Sequence, residues 1–96
     1  MKLCATRIAI IGAGKGGTAL LDLLHQIPDV EIVGIADKDP TAPGLKRARD
    51  LNVPVAERVQ DLFQNHGVNL IMDVTGDPSM EPLIHTLKRP GAEVLS

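Results

Sequence analysis

The chain has 96 residues, a formal net charge of −2 and 44% hydrophobic residues, enough for one domain with a core of its own. Acids and bases are interspersed and Phe63 is the lone aromatic, which excludes a basic nucleic-acid face and a base-stacking platform. A single cysteine, Cys4, excludes an internal disulfide framework, and no apolar run approaches the roughly twenty residues of a membrane span.

Ile8-Ala9-Ile10-Ile11 is a short run rich in β-branched residues and ended by glycines, which predicts a buried strand. Leu20, Leu23, Leu24 and Ile27 then recur at helical spacing and predict a helix with those four on its buried face, stopped by Pro28-Asp29. Residues 31–36 predict a second strand, and residues 37–44 a loop. A short helix follows with Leu45, Ala48 and Leu51 inward. Val53-Pro54-Val55 predicts a weak third strand, placed at an edge because proline removes a ladder donor. Val59, Leu62 and Phe63 mark another helix, closed by Gly67, and residues 68–74 contain the fourth strand. Asp77-Pro78 has the chemistry of an N-cap and a first-turn proline, although Pro82 moves the point where that helix settles beyond itself. Leu83, Ile84 and Leu87 carry its buried side, and Ala92-Glu93-Val94-Leu95 is a fifth strand.

Strands alternating with helices predict an α/β fold. The expectation is a Rossmann-like, three-layer, doubly wound parallel sheet of about five strands in the order 3-2-1-4-5. Residues 1–96 make a single domain, and an end at Ser96, just as the fifth strand finishes, reads as the N-terminal fragment of a longer protein. The open edge beyond that strand suits a fused C-terminal domain or a homo-oligomer.

Gly12-Ala13-Gly14-Lys15-Gly16-Gly17 matches G-x-G-x-x-G directly after a predicted strand and at the start of a predicted helix. In that context Gly12 permits the tight turn, Gly14 clears a path for a pyrophosphate, and Gly17 lets helix and strand pack closely. Gly16 adds room, and the helix start offers unpaired N–H groups to the phosphates. Asp37 lies about twenty residues past Gly17, where a carboxylate accepts hydrogen bonds from the adenosine ribose. It repels the 2′-phosphate of NADP, so NAD is the expected cofactor, with Lys38 as a counterweight. Thr75 and Gly76 close the fourth strand and are expected on the ribose and nicotinamide side of the cleft. Lys15 does not make a phosphate loop of the NTPase kind, because Gly16 follows it where Ser or Thr is needed.

No residue qualifies for a catalytic role. His25, His66 and His85 fall in three separate helical segments and read as surface or helix-end histidines. Cys4 has no partner, and Asp37 with Asp39 is too local for a metal site. A chain without a signal-peptide segment is expected in the cytoplasm.

Ile8-Ala9-Ile10-Ile11-Gly12-Ala13-Gly14, Val33-Gly34-Ile35-Ala36-Asp37 and Asp73-Val74-Thr75-Gly76 together resemble the N-terminal NAD(P)-binding domain of the glucose–fructose oxidoreductase and inositol dehydrogenase family. The resemblance implies an oxidoreductase. In that family the functional lysine follows the fifth strand in a Glu-Lys-Pro element, which this sequence does not reach, and Lys88-Arg89-Pro90 precedes that strand. The run from Gly12 to Leu24, with the ending Gly91-Ala92-Glu93-Val94-Leu95-Ser96, is also similar to N-terminal Rossmann modules of bacterial signalling proteins, sensor histidine kinases among them. Three readings follow: the NAD(H)-binding part of a dehydrogenase with its catalytic residues elsewhere, a nucleotide-sensing module, and an interaction domain with an empty cleft.

Overall fold

The computed structural model describes residues 6–64 and 67–96, so Cys4 and His66 lie outside the described residues. Strands β1 (Thr6–Ile11), β2 (Val30–Ala36), β3 (Val55–Ala56), β4 (Leu70–Asp73) and β5 (Glu93–Leu95) form one parallel sheet in the order β3-β2-β1-β4-β5. This is the order expected from the sequence.

The central strand explains the three layers. Ile8 and Ile10 point into one apolar cluster and Ala9 and Ile11 into another, so four consecutive residues are buried. Helices α1 (Lys15–His25) and α2 (Pro43–Asp50) supply Leu21, Leu24, Leu45 and Ala48 to the first cluster. Helix α3 (Met80–Leu87) and a 3-10 helix at Val59–Phe63 supply Ile84 and Leu62 to the second. Among the described residues, the largest fully buried side chains are all aliphatic.

Four expectations are corrected. The buried face of α1 is Gly17, Leu21 and Leu24, while Leu23 is 62% exposed and Ile27, beyond the end of the helix, is 40% exposed. Gly17 is pressed against the main chain of Gly12, just past β1, and the positions four and seven residues on face inward with it. The segment after β3 is a short 3-10 helix that ends at Phe63, well before Gly67. Helix α3 starts at Met80, ahead of Pro82, because a first-turn proline gives up an amide that has no intrahelical acceptor in any case. Its Ile84 is buried as expected, whereas Leu83 is exposed.

The proline before β3 fits its edge position: Pro54 contributes only its carbonyl, which accepts the Ile35 N–H at 3.0 Å. Among the described residues no helix is long and apolar enough to cross a membrane.

Candidate functional site

Strand β1 runs into the turn at Gly12, whose φ of +105° favours glycine. The Gly12 N–H donates to the Ala36 carbonyl at 2.8 Å, and the Val74 N–H donates to the Ile11 carbonyl at 2.9 Å. The turn is therefore stitched to the carboxyl ends of both neighbouring strands. A Cβ on Gly12 would stand 3.1 Å from the Thr75 nitrogen, and one on Gly17 would land on the Gly12 carbonyl. Gly14 is different: nothing lies within 4 Å of a Cβ built there. The three motif glycines divide into a turn, a close contact and an opening.

The opening faces the start of α1. The first hydrogen bond of the helix runs from the Thr18 N–H to the Gly14 carbonyl at 2.9 Å, so the amides of Lys15, Gly16 and Gly17 precede the ladder. No acidic residue stands in the first turn, and no side chain caps it. These amides and the positive end of the helix dipole suit an anion.

Asp37 follows β2 and turns toward the glycines. Its Oδ2 accepts the Ala13 N–H at 2.7 Å and its Oδ1 accepts the Asp39 N–H at 2.8 Å, which leaves each oxygen acceptor capacity for a further donor. Asp39 in turn accepts the Thr41 hydroxyl and N–H at 2.7 and 2.9 Å, and these bonds hold its carboxyl below the ordinary aspartate range. The opposite wall repeats the arrangement. Buried Asp73 accepts the Thr75 hydroxyl and N–H at 2.7 and 3.0 Å, and Asp77 accepts the Ser79 N–H and hydroxyl at 2.9 and 2.8 Å. The Ser79 bonds lower the Asp77 pKa, and the Lys38 charge on the other wall adds to the shift. Each wall is thus tied by local hydrogen bonds, and the Lys38 charge on one acts on Asp77 of the other.

Between them lies a cleft of about 470 Å³ at the carboxyl ends of β1, β2 and β4, where the winding of the sheet reverses. Gly12, Gly14, Asp37, Lys38 and Thr75 line it. The other sequence candidates do not. Ala13 is fully buried beneath α2, Gly17 sits behind the turn, and Lys15 and Gly16 are exposed at the helix start. Gly76 borders a separate depression with Asp77 and Pro78.

Ile11, Ala36 and Val74 at the strand ends also line the cleft, as do Glu57, Arg58, Val59 and Gln60 after β3 with Asp77 and Met80, which sequence reasoning missed. Their signal was positional: each follows the carboxyl end of a strand. Arg58 donates to Asp61 at 3.2 Å. His25 is exposed, and His85, also exposed, has its Nε2 3.7 Å from a Glu81 carboxylate oxygen.

A family model described as an oxidoreductase family with an NAD-binding Rossmann fold matches residues 6–95. Acetaldehyde dehydrogenase of Chloroflexus aurantiacus is 31% identical over 77 residues, covering 78% of this chain and 25% of that protein. GenD2 from gentamicin A biosynthesis, solved in complex with NAD, has a TM-score of 0.75 at 19% identity, covering 90% of this chain and 24% of that one. Myo-inositol dehydrogenase from Lactobacillus casei, solved with NAD(H) and myo-inositol, has a TM-score of 0.70 at 23% identity, covering 86% and 25%. At these identities the structural likeness shows the fold. The chain spans about a quarter of the length of these relatives. The matches support the oxidoreductase side of the sequence resemblance and give the sensor-kinase side no support.

Proposed function

The chain belongs to the oxidoreductase family with an NAD-binding Rossmann fold, and we propose that it holds NAD(H) over Gly12 and Gly14 as the cofactor-binding part of a longer, cytoplasmic NAD-dependent dehydrogenase. The observation that carries this reading is the open space at Gly14, in front of helix amides that precede the hydrogen-bond ladder, with the Asp37 carboxylate lining the same cleft. A diphosphate fits the turn, because it is anionic and needs backbone donors without an intervening side chain.

Asp37 takes the adenosine ribose with the acceptor capacity that Ala13 and Asp39 leave on it. Its charge disfavours a 2′-phosphate, so NAD is bound in preference to NADP even with Lys38 beside it. Thr75 and Val74 border the nicotinamide side. When bound, NAD(H) supplies a hydride acceptor or donor; the residues of this chain bind and orient it. The groups that handle the substrate and its proton belong to the rest of the longer protein. The outer edge of β5 is where a fused domain or a second copy adds its cover.

Calorimetric titration tests the reading. NADH is expected to bind saturably, NADPH more weakly, and both Gly14→Val, which fills the opening, and Asp37→Ala are expected to weaken NADH about tenfold or more. No binding heat at millimolar NADH overturns the assignment.

A further inference from the structure

Ala13 stands between the first two motif glycines, and its N–H, its carbonyl and its side chain are all engaged. Its N–H donates to Asp37 Oδ2 at 2.7 Å, its carbonyl accepts the Gly44 N–H at 2.7 Å, and its side chain is fully buried. Asp37 opens the connection between β2 and α2, and Gly44 lies in the first turn of α2. That connection is itself braced, by the Asp39 bonds to Asp37 and Thr41 and by the Ala42 N–H on the Asp39 carbonyl at 3.0 Å. Gly44 is buried and does not line the cleft. A Cβ there would stand 2.8 Å from the Ala13 oxygen and 3.0 Å from both its Cα and its Cβ.

We propose that Gly44 is a positioning residue for diphosphate binding: acting through Ala13, the start of α2 sets the direction in which the glycine turn presents its amides. The inference rests on the dinucleotide reading above. On the cleft side nothing packs where a Gly14 side chain would project, so at that point the turn has room to move toward the cleft. A methyl group at position 44 meets main-chain atoms, which cannot rotate away. Helix α2 cannot retreat either, because Leu45 and Ala48 anchor it at 3% and 0% exposure. The turn is what yields, and it yields toward the cleft. Hydrogen bonds to a phosphate are steep in distance and angle, so a small displacement weakens them together.

The test measures affinity for NADH and for ADP in the intact protein, for wild type, Gly44→Ala, Ala13→Gly and the double variant, well below each melting midpoint. Wild-type binding of NADH tests the dinucleotide reading by itself. Gly44→Ala is expected to weaken both ligands about tenfold, because the misplaced donors serve the diphosphate they share. Ala13→Gly, which loosens the turn, costs less. Combining the two removes the Cβ–Cβ contact and recovers part of the affinity lost in Gly44→Ala. A folded Gly44→Ala protein that melts earlier yet binds both ligands with wild-type affinity overturns the proposal, since a structural role alone moves only the melting midpoint. If Gly44→Ala does not fold, Ala13→Gly decides: weakened binding supports the proposal and wild-type binding overturns it.

Discussion

Gly16 and Gly17 are neighbours in sequence and opposites in environment. A Cβ on Gly17 strikes the Gly12 carbonyl, whereas one on Gly16 meets nothing within 4 Å. Gly17→Ala therefore pushes α1 off the Gly12 turn and is expected to cost about 1–3 kcal/mol, the range for overpacking a rigid contact. Gly16→Ala removes freedom from the unfolded chain without a clash and is expected to add about 0.4–1 kcal/mol. Denaturant unfolding of the two variants checks the opposite signs. A pH dependence belongs at the same scale. The Ser79 bonds depress the Asp77 pKa in the folded state below the unfolded value of about 3.9. The stabilisation is therefore present above that value and disappears as pH falls through the folded-state pKa. Ser79→Ala should lower the urea midpoint at neutral pH, and the gap from wild type should close on acidification below pH about 4. A gap that stays constant down to pH about 2 would remove the carboxylate from the account.

At the scale of elements, how clearly the sequence announces each one depends on how local its cause is. Strand β1 and the turn after it are legible because burial on both faces demands an unbroken aliphatic run and the turn demands glycine. The rotation of α1 is not. Leu20, Leu21, Leu23 and Leu24 fit more than one helical face, and the choice is made by Gly17 meeting Gly12, a contact that the hydrophobic pattern does not encode. Leu21→Ala should accordingly cost about 2–5 kcal/mol and Leu23→Ala less than about 0.5 kcal/mol, measured by chemical denaturation. A larger cost at Leu23 than at Leu21 would mean that the helix is turned as its leucine pattern suggests. The cleft shows the same division. Asp37 is legible because its distance from the glycines is a property of one βαβ unit. Arg58 and Gln60 reach the cleft only because the two-residue strand β3 pairs with β2, and Gly44 matters only because α2 docks on Ala13. Both facts are tertiary.

For the whole molecule the question is whether two apolar clusters on opposite faces of one sheet behave as one unit. Strand β1 contributes to both clusters through alternate residues and pairs with both β2 and β4. The cleft inherits this: Asp37 and Lys38 come from the β2 side, Val74 and Thr75 from the β4 side, and the glycine turn from the strand between them. Loss of either half opens the cleft and leaves β1 exposed along one edge. Ile10 and Ile71 are both fully buried, one in each cluster, so replacing either with alanine should cost about 2–5 kcal/mol. Unfolding should remain a single transition in both variants, because neither face keeps its sheet without β1. NADH at about a hundred times its Kd should then raise the stability of each variant by about 2.7 kcal/mol, whichever face is weakened, provided that its affinity is unchanged. Two separated thermal transitions in Ile10→Ala, with only the later one responding to NADH, would mean that the faces fold independently and that the cleft is held by one of them alone.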